Sequence, residues 1–126
     1  MLETENAISL VASVDGNYVG NIFGCRPSDD EIKEFMPDNH DKNMIYIYNL
    51  VIDPQYQGKG YAFLLLKEFM RMAKERGYEI VIGHFRNNAS SRIIETFGAK
   101  LKGVSDDWEE TGEKYNFYEV DLKRVE

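Results

Sequence analysis

The stretch Ile45–Ala73, IYIYNLVIDPQYQGKGYAFLLLKEFMRMA, changes character in its middle. Its first part is dense in β-branched and aromatic residues. That predicts a strand over Met44–Asp53, and a central one. Its last part places apolar residues at Ala62, Leu65, Leu66, Phe69, Met70 and Ala73. This is helical spacing with a wide buried face, and it predicts a helix from Lys59 to Arg76 with Gly77 as its C′ residue. Between the two lies the glycine turn Gln57-Gly58-Lys59-Gly60-Tyr61-Ala62. The first N–H groups of a helix have no internal acceptor, and the helix dipole makes that end partly positive. Small residues let a ligand reach the backbone there, and Lys59 adds a cation. The turn therefore suits a phosphate group.

Two common phosphate motifs do not describe it. A Walker loop, G-x-x-x-x-G-K-S/T, would need Gly at Asp53 and Ser or Thr at Gly60. A dinucleotide fingerprint, G-x-G-x-x-G, would need Gly at Phe63.

Outward from this unit, AISLVASVDGNYVGNIFGC reads as a hairpin turning at Asp15-Gly16-Asn17. RPSDDEIKEFMPDNHDKN is a polar surface excursion with one short helix around Asp30 to Met36, capped by Ser28 or Asp29. YEIVIGHF is a further strand. NNASSRIIETFG is a short helix, capped by Asn87 or Asn88 and ended by Gly98. AKLKGVSD and KYNFYEVDLK are two last strands joined by the acidic turn DDWEETGE. The order β-β-(α)-β-α-β-α-β-β predicts an α/β (α+β) fold. Its mixed sheet is parallel at the centre, where a right-handed crossover falls, antiparallel at the flanks, and covered by helices. With 126 residues and no linker, one domain over 1–126 is expected.

A net charge of −7 argues against a broad nucleic-acid or anionic-membrane surface, but leaves room for one local basic pocket. No apolar run approaches the roughly 20 residues of a membrane span. MLETENAISL lacks the features of a signal peptide. The single cysteine, Cys25, suits a reducing cytoplasm. No metal site is expected.

In register, Gln57, Gly60 and Ala62 match the pattern Q/R-x-x-G-x-G/A. Here the sequence resembles the GNAT superfamily of acetyl-CoA-dependent N-acetyltransferases. NLVIDPQYQGKGYA resembles the family's central strand and pyrophosphate loop. A second family signature follows at the expected distance, in Asn87, Ala89, Ser90, Arg92, Ile94, Glu95 and Gly98. The likeness runs from about Ser9 to Leu122.

The resemblance implies transfer of an acetyl group from acetyl-CoA to a primary amine, of a small molecule or a peptide or protein, by direct attack. It implies that the central strand and the next parallel strand splay apart around the pantetheine arm. Leu50, Val51 and Ile52 would then offer backbone groups to it, with the N–H of Val51 or Ile52 as oxyanion donor. Gln57, Gly58, Lys59, Gly60, Tyr61 and Ala62 would hold the pyrophosphate, and Asn87, Ser90 and Arg92 would help to hold the cofactor. As plain structure, Leu50, Val51 and Ile52 are core, Asn87 a helix cap and Arg92 a solvated charge. For the base the candidates are Tyr46 and His84. Tyr48 shares a strand face with Tyr46, and both tyrosines also read as packed strand aromatics. An unperturbed tyrosine titrates near 10, so Tyr46 would relay through water or need a lowered pKa, whereas an imidazole suits the task.

Two departures stand out. Many relatives carry a tyrosine as acid for the leaving thiolate where this chain has Ile94. With a thiol pKa near 8.5, the thiolate can leave without one. Relatives also begin with a strand and one or two helices that shape the acceptor pocket, whereas this chain starts almost at the hairpin. The polar excursion, a second subunit or a longer parent chain would supply that role. The missing strand leaves an open sheet edge, so a homodimer is expected. A non-catalytic acyl-CoA-binding regulatory module is the alternative to an enzyme.

Overall fold

The structure is a computed structural model that describes residues 7–35, 43–86, 89–105 and 115–124. Its strands are β1 (Ala7–Val14), β2 (Asn17–Cys25), β3 (Met44–Ile52), β4 (Ile80–Arg86), β5 (Lys100–Ser105) and β6 (Tyr115–Asp121). Its helices are α1 (Asp29–Phe35), α2 (Tyr61–Glu75) and α3 (Ala89–Glu95), and Pro54–Tyr56 and Leu122–Arg124 each form a 3-10 turn.

Local chemistry sets several boundaries. Asp15 and Gly16 take φ of 50° and 80°, the double left-handed turn that matches the twist of a tight hairpin. Ser28 Oγ accepts the N–H of Glu31, and Glu31 Oε1 accepts the N–H of Ser28 in return. This reciprocal capping box settles the cap of α1 on Ser28 rather than Asp29. Gly60 has φ 88° and is the N-cap of α2, so the helix begins at Tyr61, two residues later than expected. At its other end Gly77 also has φ 88°. Its N–H donates to Lys74 O and that of Tyr78 to Ala73 O, the pair of bonds that closes a helix on a left-handed residue. The expected caps Asn87 and Asn88, the acidic turn Asp106–Glu113 and the end of the excursion at 36–42 lie outside the described residues.

The strands form one six-stranded sheet in the order β1-β2-β3-β4-β6-β5. Only β3 and β4 pair in parallel among them, and the other neighbours are antiparallel. This is the mixed sheet the element order predicts.

Alternation along the strands divides the apolar residues between two faces. Ile45, Ile47, Val81, Phe85, Tyr118 and Val120 meet Leu66, Phe69 and Met70 of α2 and Ile94 of α3. On the other face Met44, Tyr46, Ile80, Ile82 and Phe117 meet Ile32 of α1. Phe69 lies over β2 where that strand carries Gly24: a Cβ there would stand 2.5 Å from Phe69 Cζ and 2.8 Å from the Tyr46 carbonyl oxygen. The missing side chain lets α2 sit close to the sheet.

The pairing of β2 with β3 slips between Phe23↔Asn49 and Gly24↔Ile47, leaving Tyr48 as an extra residue on β3. Such a bulge bends its strand and resets the alternation. Ile45 and Ile47 point towards α2 before it, and Leu50 and Ile52 pack on that side after it.

Candidate active site

The parallel pairing of β3 with β4 stops at Ile47↔Gly83. Both strands continue, β3 to Ile52 beside β2 and β4 to Arg86 beside β6. The two central strands therefore part just after the bulge at Tyr48. The open run of β3, Tyr48 to Ile52, is about 16 Å long at ~3.3 Å per residue.

Backbone groups line this gap in a defined order. The Asp53 N–H donates to Val19 O at 2.7 Å. A Cβ on Gly20 would come within 2.4 Å of Val51 O. Val51 and Asp53 thus direct their amide groups towards β2. Strand alternation turns those of Leu50 and Ile52 towards the gap. Of the two donors expected, Ile52 is the one so directed; Val51 is not, because β2 occupies that side.

The glycine turn stands at the open end of the gap, beyond the carboxyl end of β3, where ligands of open α/β sheets bind. Asp53 Oδ1 accepts the N–H of Gln55, and Asp53 O that of Tyr56. Gln57 Nε2 donates to Ile52 O at 3.1 Å, tying the turn back to the strand. Gly58 and Gly60 have φ of 77° and 88° and are exposed. The first bond of α2 runs from Leu64 N–H to Gly60 O, so the N–H groups of Tyr61, Ala62 and Phe63 precede the helical ladder. Gly60 supplies no side-chain cap for them. Lys59 Nζ lies 5.7 Å from the centre of the Tyr56 ring, which packs edge-on to Tyr61.

At the closed end of the gap, on the α1 face, Tyr46 Oη lies 2.5 Å from His84 Nδ1. The two candidates come from adjacent strands and form one pair. Tyr46 is buried and His84 half-buried, with the imidazole edge-on to Phe117 at 4.7 Å. Burial pushes the His84 pKa down to about 4. The ring is therefore neutral at pH 7, and with its proton on Nε2 it accepts the Tyr46 O–H. Between about 6.5 and about 4 an unfolded histidine binds a proton that the folded one refuses. Stability must fall as pH drops through that window. Urea unfolding from pH 7 to pH 4.5 should show the loss, and His84→Gln should show a shallower one.

Tyr48 follows on the same face, its ring 4.6 Å from that of Tyr46. It is not a packed strand aromatic: it is 46% exposed, because the bulge lifts it out of the ladder. Its hydroxyl donates to Glu31 Oε2 at 3.4 Å and also bonds Cys25. Burial first, then the Glu31 and Cys25 charges, push its phenol up to about 12.

Leu50 and Ile52 are half-buried, and Val51 is 45% exposed rather than core. Arg92 is exposed on α3. Asn87 and the Ser90 side chain lie outside the described residues. Ile94 is fully buried, so the position of the family's tyrosine belongs to the core. Glu31 was missed by sequence reasoning. Its only local signal is the capping-box spacing from Ser28, which does not foretell the contact with Tyr48. Among the described residues no group of acidic, histidine or cysteine side chains could hold a metal, and no helix is long and apolar enough to cross a membrane.

The family model "Acetyltransferase (GNAT) family" matches residues 1–98. The chain belongs to the GNAT family of acetyltransferases. Solved GNAT structures share its fold at low identity. The ribosomal-protein-S18-alanine N-acetyltransferase of Escherichia coli aligns with a TM-score of 0.73 at 15% identity, over 94% of this chain and 70% of that one. An N-acetyltransferase from Staphylococcus aureus Mu50 aligns at 0.73 and 22%, over 90% and 67%. A Salmonella typhimurium protein solved with its cofactor acetyl-CoA aligns at 0.75 and 17%, over 94% and 66%. No curated protein matches the sequence significantly. The splayed strands and the glycine turn at α2 are the features that the GNAT resemblance leads one to expect.

Proposed function

We propose that this GNAT protein transfers the acetyl group of acetyl-CoA to a primary amine by direct attack. The observation that carries the reading is the gap between β3 and β4, with the glycine turn at one end and the Tyr46–His84 pair at the other. Bound acetyl-CoA supplies the activated thioester. The N–H groups of Tyr61, Ala62 and Phe63 hold the pyrophosphate, while Gln57 fixes the turn and Lys59 adds charge. Leu50 and Ile52 bond the pantetheine arm along the gap, and the Ile52 N–H stabilises charge developing on the acetyl oxygen. By the family resemblance, Asn87, Ser90 and Arg92 would help to hold the cofactor. As the amine attacks, its proton passes to Tyr46 Oη while the tyrosine proton moves to His84 Nδ1. Because burial disfavours the imidazolium, the proton does not rest on His84 but passes on from it to solvent, leaving a neutral phenol, so no free tyrosinate is required. No side chain is assigned to protonate the thiolate.

The buried Ile94 favours one other reading, an acyl-CoA-binding regulatory module. Two measurements separate them. Both readings expect a thermal shift with acetyl-CoA. Only transfer releases free thiol when a panel of amines is added. A cytoplasmic location is inferred from the lone Cys25. A homodimer is proposed from the edge position of β1 and the 68% exposure of Val11 on it. Light scattering should give a mass that rises to twice that of the chain with concentration; a constant monomer mass would exclude the dimer.

A further inference from the structure

The face of the sheet that carries Tyr46 and His84 also carries a carboxylate with no part in the relay. Glu31 stands in the first turn of α1. Its Oε1 is held by the Ser28 N–H at 3.1 Å, which orients the group. Its Oε2 meets the Tyr48 hydroxyl at 3.4 Å. Among the described residues no lysine or arginine pairs with it. Tyr48 in turn packs on Tyr46, 4.6 Å between ring centres, and beside Phe23 at 6.4 Å. The rings of Phe23, Tyr48 and Tyr46 thus join Glu31 to the closed end of the gap. A carboxylate next to aromatic faces is a receptor for an organic cation, since both attract positive charge. Tyr48 holds its proton more firmly than an ordinary phenol, so it adds no anion of its own.

We propose that Glu31, with the faces of Tyr48 and Phe23, binds a second positive charge on the acceptor, so that the preferred substrate is a diamine rather than a monoamine. The inference rests on the acetyl-transfer reading and names the acceptor class of that site. One nitrogen reaches Tyr46 as the nucleophile, and the other remains an ammonium ion at Glu31. The preference is electrostatic and weakens as salt rises.

The test compares diamines with monoamines of matched length, putrescine and cadaverine against n-butylamine and n-pentylamine, by thiol release from acetyl-CoA. The native protein should favour the diamine by about tenfold in kcat/KM. The advantage should lie in KM and shrink with added salt. Glu31→Gln keeps an oxygen for the Ser28 N–H and should bring the diamine-to-monoamine ratio close to one. Equal kcat/KM for the two series in the native protein, or a ratio that Glu31→Gln leaves unaltered, overturns the proposal while transfer itself stands. If no amine of either series releases thiol although acetyl-CoA binds, the transfer reading fails and this proposal fails with it.

Discussion

Gly60→Glu is expected to abolish acetyl-CoA binding. Gly60 has φ 88°, and a side chain there costs about 1–2 kcal/mol in backbone strain. A Cβ at that position meets nothing within 4 Å, so the fold should survive. The new carboxylate is what matters. It sits at the N-cap of α2, where acidic side chains bond the first N–H groups of a helix. It would occupy the donors assigned to the pyrophosphate and repel that anion as well. Calorimetric titration should show at least ~100-fold weaker binding. Lys59→Ala should weaken binding only a few-fold, because an exposed cation is screened by solvent. A Gly60→Glu protein that folds and binds normally would show that this turn is not the pyrophosphate site.

Tyr46→Phe should lower kcat by roughly 10²–10⁴, the usual worth of a positioned proton acceptor, while acetyl-CoA binding is unchanged. The ring stays in place against Tyr48 and in the cluster with Met44, Ile80 and Ile82. Only the hydroxyl bonded to His84 is lost. Because the substitution is nearly isosteric, a changed unfolding midpoint would be small, and a large loss of rate would belong to the chemistry. A Tyr46→Phe enzyme with kcat within a factor of about three of the native value would remove the pair from the proton path.

The parts of this molecule governed by short-range chemistry are readable from its sequence. The hairpin at Asp15-Gly16, the capping of α1 by Ser28 and the end of α2 at Gly77 each follow from residues within a few positions. The start of α2 is misread by two residues. Apolar spacing first registers at Ala62 and does not fix the opening turn, whose start is set by the left-handed conformation of Gly60. The bulge at Tyr48 is not legible in the sequence: both faces of IYIYNLVI carry large apolar or aromatic residues, so no clear apolar–polar alternation exists for it to break. It nevertheless exposes Tyr48 and accompanies the parting of β3 and β4. Tyr46 and His84 were legible as separate candidates. Their pairing was not, because 38 residues separate them and only the parallel register of β3 on β4 brings them together. Glu31 was hidden for the same reason. Its contact with Tyr48 depends on where α1 settles on the sheet.

The central claim is that the gap between β3 and β4 and the first turn of α2 together receive acetyl-CoA. Amide hydrogen exchange, resolved residue by residue with and without acetyl-CoA, tests it most directly. The N–H groups of Leu50, Ile52, Tyr61, Ala62 and Phe63 should become strongly protected. The Val51 N–H, already directed at β2, should change little. Protection confined to other strands, or none at these five amides under saturating acetyl-CoA, would contradict it.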